Sequence, residues 1–579
     1  MAEKFGDSII KQQTILDHPA SLFVLFFTEM WERFSYYGMR ALLVLFLTSS
    51  LMDGGYGWER KDALELYALY TGLVYMTPLI GGIIADKLTG YRKAVVLGAL
   101  IMAIGHGCMA IEAIPAFFYA GLGCLIVGNG LFKPNISSIV GQLYTDESKK
   151  DSAYTIFYMG INAGAFLGIL LCGYIGEKIG WSYGFGLAGI FMFLGMLQFW
   201  FGQSIFGDIG LSPKEDPVEK TKQKAVANDT GSSRIGMWAG IGLALAVVVY
   251  FTKLFLAPTP ESASILNIIN ANWIPPILFG SVVSIVGFIV TDPTLTKVEK
   301  DRVWVIIILT FFTVFFWWAF EQAGGSMTVF ANDYTSRDLV GSGALTFKLV
   351  NTLLTVGSLS VITWVLFKLF SVTFKDIATS NTILGISFVI IWAIVVWMLY
   401  REFKADATEV PASWFSILNS FFIITLAPLI SKFWEKGIIT SGPIKFALGL
   451  LLVGIGFAFL AFGSSAIPQG AKTASVSMVW LILAYLFHTL GELCVSPVGL
   501  SYVSKLAPVR LIGLMFGVWF IANFIANWAG GITGSYIDQI VENNSMSTFF
   551  LIFTFIPIGA AVVLMLMNGF MKKMMHGIE

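Results

Sequence analysis

The sequence predicts an all-α polytopic membrane protein, and three observations carry that prediction. Of its 579 residues, 56% are hydrophobic and only 12% are charged, against about 25% charged in a soluble globular chain. The apolar residues gather into sixteen windows, each near the roughly 20 residues that cross a hydrocarbon core of about 30 Å as helix. Lys and Arg are unevenly placed between the windows. With the N-terminus in the cytoplasm and sides alternating, 17 of the 36 fall in cytoplasmic segments, 6 in outer ones and 13 inside the windows. That is the inside bias of a polytopic protein.

The first six windows lie at 22–49, 63–87, 94–113, 115–143, 151–178 and 181–203. Two follow at 236–257 and 270–291, then 301–330, 346–371 and 381–400. The last five are 412–436, 441–465, 474–503, 509–535 and 547–570. The one long polar interval, 204–235, reads as a cytoplasmic linker between two halves. The expected organisation is a cytoplasmic N-terminus (1–21), a first six-helix bundle (22–203), the linker and two extra transmembrane helices (236–291). A second bundle (301–570) and a cytoplasmic C-terminus (571–579) complete it. Arg401 and Lys404 then fall outside, so the additional pair at 346–400, carried by the second bundle, reads as a peripheral hairpin. Its removal leaves the topology of the remainder unchanged. The polar start, MAEKFGDSIIKQQTILDHPA, has no short apolar core with a cleavage site, so the first helix is expected to be the insertion signal.

Several function classes find no support in the residues. The formal net charge is zero, which gives no electrostatic reason for a nucleic-acid partner. The four cysteines and four histidines show no metal-ligand spacing, and no metal is expected. There is no HExxH, no GxSxG with triad partners and no phosphate-binding loop. An enzyme is therefore not expected. The 59 glycines, many inside windows as in GINAGAFLG, suit close helix–helix packing. Pro78, Pro134, Pro428 and Pro497 interrupt windows, which is tolerated where neighbours satisfy the freed carbonyls.

The first window holds FTEMWERFSYYGMRALLVLFL, with Glu29, Glu32, Arg33 and Arg40 inside a hydrophobic run. A charge at the bilayer centre costs roughly 2.5–3.5 kcal/mol on the insertion scale. At about 100° per residue, positions 29, 32, 33, 36, 37 and 40 share an arc of roughly 140°. Phe27, Trp31, Phe34, Leu42 and Leu45 take the opposite face. Three other windows add Lys133, Glu321 and Glu492. The deep set is thus three cations and four acids, on two windows before the linker and two after it. It fits a central site for a charged or zwitterionic solute, with one acid in excess to hold a proton. His488 lies one helical turn before Glu492.

Seven motifs occur in order: Glu29-Met30-Trp31-Glu32-Arg33 followed by FSYYGMRALL, TGLVYMTPLIGGIIADKLTGYRK, GNGLFKPNISSIVGQLY, FYMGINAGAFLG, FFWWAFEQ, GELCVSPVGLS and GVWFIANFIANWAGG. Together they resemble the proton-dependent oligopeptide transporter family of the major facilitator superfamily, over nearly the whole chain. Gly82, Asp86, Gly90 and Arg92 also resemble that superfamily's signature between helices 2 and 3. The resemblance implies two six-helix bundles around a central site with alternating access. It matches 236–291 to the two linking helices of prokaryotic members and leaves the pair between core helices 7 and 8 without a counterpart.

It further implies that Glu29, Glu32 and Arg33 form the ExxER motif of proton coupling. Arg33, Tyr36, Arg40, Tyr75, Lys133 and Asn162 match the half-site for the peptide and its carboxylate end. Glu492 and Ser496 match the site for the amino terminus, and Trp317, Asn419 and Trp519 look like pocket-lining positions. Arg40–Glu321 and Lys133–Glu492 match the pairs that gate the two sides. Two positions depart from the pattern. Ala68 stands where animal members carry a helix 2 histidine, and Phe415-Ser416-Ile417-Leu418-Asn419-Ser420 replaces FQSxNP.

The implied activity is symport of di- and tripeptides with protons across the cell membrane, with no cofactor and the monomer as the working unit. The implied partners are the peptides, protons and the lipid bilayer. Two other readings stay open: a proton-coupled carrier of another small zwitterionic or anionic solute, and a non-accumulating sensor or channel on the same fold.

Overall fold

A computed structural model describes residues 14–144, 147–212, 232–256, 274–436, 441–508 and 511–578. Most of the expected linker, residues 213–231, lies outside them, as do residues 1–13. The first six helices are α1 (Ala20–Thr48), α2 (Arg60–Ile84), α3 (Tyr91–Met109), α4 (Pro115–Gln142), α5 (Glu147–Lys178) and α6 (Trp181–Gly202). Next come α7 (Ser232–Leu256), α8 (Ile274–Val290), α9 (Lys297–Phe320) and the short α10 (Ser326–Asp333). Then follow α11 (Gly341–Thr373), α12 (Ala378–Lys404), α13 (Ile417–Glu435) and α14 (Gly442–Gly463). The chain ends with α15 (Val479–Leu506), α16 (Ile512–Ser535), α17 (Ile537–Asn543) and α18 (Met546–Met574).

Thirteen helices among the described residues are long and apolar enough to cross a membrane, and α7 and α8 carry two shorter apolar stretches. Helix α1 has 29 residues but falls outside that count because of its four charges. Together these are the sixteen windows. The protein is thus an all-helical, multi-pass membrane protein.

The helices gather into two compact units. The first comprises residues 1–57, 77–221 and 335–424, and the second 58–76, 222–334 and 425–579. The grouping does not follow the linker: α2 contributes to both units, and the pair α11–α12 belongs with the first six helices rather than with the helices that flank it in sequence. The expectation that the second bundle carries this pair is corrected by its packing. Helix α12 lies on α6, where the Ser380 hydroxyl donates to the Gln198 carbonyl at 2.7 Å.

In the first unit, α1 is buried against α5 and α6. Helix α5 presents Gly160, Gly164 and Gly168, one per turn. A Cβ at Gly164 would lie 2.2 Å from the Met30 carbonyl oxygen, and one at Gly168 the same distance from that of Phe34. Only glycine lets the two backbones approach so closely. After α2, one π-helical turn (Ala85–Thr89) leads to Gly90 at φ +74°, where a Cβ would sit 2.5 Å from the Leu211 carbonyl oxygen. This is the signature loop, and Arg92 at its end donates to the carbonyl of Gly207.

The feet of the α11–α12 pair are zipped together. Asp338 pairs with Glu409 and Leu339 with Thr408 in an antiparallel ladder. Lys348 donates to the Ala405 carbonyl at 2.6 Å, and Tyr174 of α5 donates to Glu402 at 2.7 Å. Glu177, half-buried at the end of α5, accepts the Ala412 and Ser413 amides at 2.8 and 3.0 Å. It thereby caps the 3-10 turn that opens α13, satisfying donors that a helix start leaves free. In the second unit, Arg60 at the start of α2 is saturated by Asp333 (2.8 Å), Asp538 (2.7 Å), the Tyr334 hydroxyl (3.0 Å) and the Lys472 carbonyl (2.8 Å).

Two outcomes follow from this packing. Gly164→Ala overpacks the α1–α5 contact and should cost about 1–3 kcal/mol, read as a lower unfolding temperature in detergent. Gly559→Ala, with nothing within 4 Å of its Cβ, should not. The second outcome concerns pH. Burial raises the pKa of Glu409, outside the spans, but Lys178 and Arg337 hold it below its ordinary 4.5. Its stabilisation is therefore complete above that value and lost as pH falls through the depressed one. Glu409→Gln should flatten this acid limb of the stability curve.

Candidate functional site

The charged face of α1 is assembled as its helical spacing implies. Arg33 Nε lies 2.7 Å from Glu29 Oε1 and 3.1 Å from Glu32 Oε2. All three residues are buried, Glu32 completely. Glu32 Oε1 accepts a hydrogen bond from Asn129 Nδ2 of α4 at 2.7 Å. Lys133, one turn further along α4 and half-buried, acts electrostatically on Glu32. Two carboxylates thus share one guanidinium, so the triad carries one negative charge more than its own cation neutralises.

The back of α1 is an aromatic wedge. Trp31 stacks on Phe191 of α6 with centroids 5.1 Å apart, and Phe34 meets the same ring at 4.8 Å. A Cβ at Gly195 would lie 2.6 Å from that of Trp31, so α6 supplies a recess for the indole. Further along the polar face, Tyr36 packs edge-on against Tyr37, and Tyr36 and Arg40 are both buried. Asn162, also buried, donates to the Tyr158 carbonyl of its own helix at 3.0 Å. Asn419, at the start of α13, is half-buried in the same unit.

The remaining expected residues belong to the second unit. Glu321 caps the C-terminal end of α9, where the α-helix gives way to a 3-10 turn (Glu321–Gly324). A break inside a membrane span requires partners for the freed backbone groups. Gln322 serves one of them: its side-chain amide donates to the Trp318 carbonyl of α9 at 3.2 Å, and it also donates to the Gly530 carbonyl of α16 at 2.7 Å and accepts from the Ser326 hydroxyl at 2.6 Å. Trp317 packs edge-on against Phe316 and Phe320, both at 5.2 Å. Tyr75 and Ser496 are half-buried, and Glu492 and Trp519 are buried. Trp519 lies over Gly499, where a Cβ would come 2.3 Å from the indole. His488, one turn before Glu492, sits 4.5 Å from the Phe457 ring and 6.4 Å from Phe320, centroid to centroid.

The structure brings Glu29, Glu32 and Arg33 into one cluster. The other expected positions are distributed over both units. Four polar residues that support these elements escaped the sequence reading: Asn129, Gln322, Gln198 and Glu177. Asn129 was signalled by its place between Gly128 and Gly130 in a membrane helix, and Gln322 by adjoining Glu321. A search confined to ionisable groups passes over such amides.

A helical membrane protein with a buried, protonatable cluster has the makings of a solute carrier. The sequence matches the POT family over residues 92–378 and 360–552. The uncharacterized transporter YclF of Bacillus subtilis is 32% identical over 584 residues, covering 100% of both chains. The peptide transporter YePEPT of Yersinia enterocolitica is 30% identical, covering 98% of this chain and 97% of its own. Among solved structures, a peptide transporter POT in complex with alafosfalin matches with a TM-score of 0.70 at 27% identity, covering 100% of both chains. A POT family transporter in complex with 5-aminolevulinic acid matches with a TM-score of 0.72 at 25% identity, covering 98% of this chain and 99% of its own. The chain belongs to the POT family, and its fold is of the major facilitator type.

Removing the shared cation should be far costlier than removing an exposed one. Arg33→Leu leaves two buried carboxylates unpaired and should cost about 3–5 kcal/mol, whereas exposed Arg401→Leu should cost less than about 1 kcal/mol. Thermal unfolding in detergent checks both.

Proposed function

We propose that this protein is a proton-coupled symporter that imports di- and tripeptides by alternating access. The carrying observation is the buried Glu29–Arg33–Glu32 cluster, which holds one carboxylate more than its own guanidinium neutralises, in a chain of the POT family. One proton neutralises that excess, so the cluster has two charge states that a conformational cycle can couple to substrate. Di- and tripeptides are zwitterions whose ends differ in separation by roughly 3.5 Å. Cations for the carboxylate and an acid for the amine orient such ligands without reading every side chain.

In this reading Arg33, Tyr36, Arg40, Tyr75, Lys133 and Asn162 serve the carboxylate end, and Arg suits it through its bidentate fork. Glu492 and Ser496 hold the amine, and Trp317, Asn419 and Trp519 line the pocket. Arg40–Glu321 and Lys133–Glu492 are the pairs that gate the two sides. The first helices form one bundle and the helices after the linker, apart from the α11–α12 pair, the other, with both termini cytoplasmic, in the cell membrane. The monomer is the working unit.

The driving force suffices. One charge gains about 2.3 kcal/mol per 100 mV, and each pH unit adds about 1.4 kcal/mol. Together they support on the order of several-hundred-fold accumulation of a neutral peptide. The 5-aminolevulinate complex of a structural neighbour favours a second reading, because that ligand also carries an amine and a carboxylate.

Proteoliposomes test the proposal. An inward proton gradient should drive dipeptide uptake, and its failure to do so sinks the symport reading. Glu32→Gln should retain peptide counterflow while losing gradient-driven uptake; equal loss of both would make the motif structural. Competition between a dipeptide and 5-aminolevulinate in the same assay separates the two substrate readings.

A further inference from the structure

The α11–α12 pair is an excursion of some sixty residues that the carrier reading leaves without a task. Its inner face gives it one. Phe388, buried on α12, meets Phe27 at 5.7 Å and Trp31 at 5.8 Å, both edge-on. Those two side chains are one turn apart on the back of α1, and Trp31 lies inside the Glu29-Met30-Trp31-Glu32-Arg33 motif. A second connection runs through α6. The backbone of Gln198 accepts from Ser380 of α12, and its side chain accepts from Thr28 of α1 at 3.0 Å. The outer face of α12 carries Val389 and Val396, exposed by 70% and 60%.

We propose that α12 is a brace for α1, and that Phe388 is a positioning residue for the proton-coupling cluster. A rotation of α1 about its axis would swing Glu29, Glu32 and Arg33 together. Hydrogen-bond geometry tolerates little such movement, because the 2.7 Å contact between Asn129 of α4 and Glu32 of α1 depends on where that face points. On one side α1 is held by backbone contact with the α5 glycines. On the other it is held by aromatic rings, of which Phe191 comes from the core helix α6 and Phe388 from the added pair. Filling the space beside Trp31 and Phe27 fixes the rotation, because an apolar void there would let the indole shift. The titratable groups facing the cluster are Lys133 of α4 and the Tyr37 phenol of α1, and Phe388 touches neither carboxylate. It acts through Trp31 and Phe27.

This inference rests on the symport reading, and the assay separates the two. Wild type, Phe388→Ala, Phe388→Leu and Val389→Ala are reconstituted at matched, monodisperse levels. Gradient-driven dipeptide uptake and peptide counterflow are then measured side by side. Phe388→Ala should lose about tenfold in driven uptake while counterflow stays within about twofold. Phe388→Leu, which refills most of the volume, should recover at least half of the driven uptake, and lipid-facing Val389→Ala should change neither. Equal loss of both activities in Phe388→Ala would make the residue merely structural, and no loss would make the pair irrelevant to coupling. If Phe388→Ala does not fold, Phe388→Val, which leaves more of the volume empty than leucine does, decides: a wild-type ratio of driven uptake to counterflow in that variant overturns the brace. Absent driven uptake in the wild type would overturn the symport reading, and the brace with it.

Discussion

One guanidinium between two carboxylates, inside a helix otherwise built for hydrocarbon, is the constraint to which much of the first unit answers. Charges at membrane depth are tolerated only with partners and with a fixed direction. Arg33 gives the carboxylates a common partner, and Asn129 takes the oxygen that Arg33 does not reach. The glycines of α5 let another backbone close over the helix. The rings of Trp31, Phe34 and Phe191 occupy the reverse face so that the polar one cannot turn into the packing. Each of these is a local choice with the same purpose: a large electrostatic cost is kept small by geometry.

The second unit handles a related difficulty with backbone rather than charge. Helix α9 stops being α-helical at Glu321, within the longest membrane span, Lys297–Asp333. Broken hydrogen bonds in hydrocarbon cost several kcal/mol each, and Gln322 offsets part of that by donating to the Trp318 carbonyl of α9, while its bonds to Gly530 and Ser326 hold the amide in place. The acid at the break is therefore followed at once by an amide that steadies it. Arg60 gathers a comparable set of acceptors at the end of α2.

The class of fold was legible in composition, because sixteen apolar runs leave few alternatives for a chain this poor in charge. The polar stripe of α1 was legible too, since helical periodicity needs only the positions of its residues. What escaped has a common physical cause. Asn129, Gln198 and Gln322 act through neutral amides whose value depends on which helix lies opposite, and a single sequence does not state that. The packing of α12 onto α1 depends on contacts across more than 350 positions of sequence, such as Phe27 with Phe388. Order along the chain therefore assigned that pair to its sequence neighbours, whereas aromatic complementarity assigned it elsewhere. Motifs name positions along the chain, whereas partners are set by which helix lies opposite.

The ladder that joins Asp338–Leu339 to Thr408–Glu409 has a consequence for how such a chain acquires new parts. The two strands of the ladder enter and leave the hairpin side by side, so everything between them is, in topological terms, a detour that returns to its starting point. The helices before and after it keep their directions whether the detour is long or short. A lineage can therefore graft, lengthen or discard this pair without redrawing the rest of the membrane path. What it would alter is the stiffness of the helix on which the pair leans.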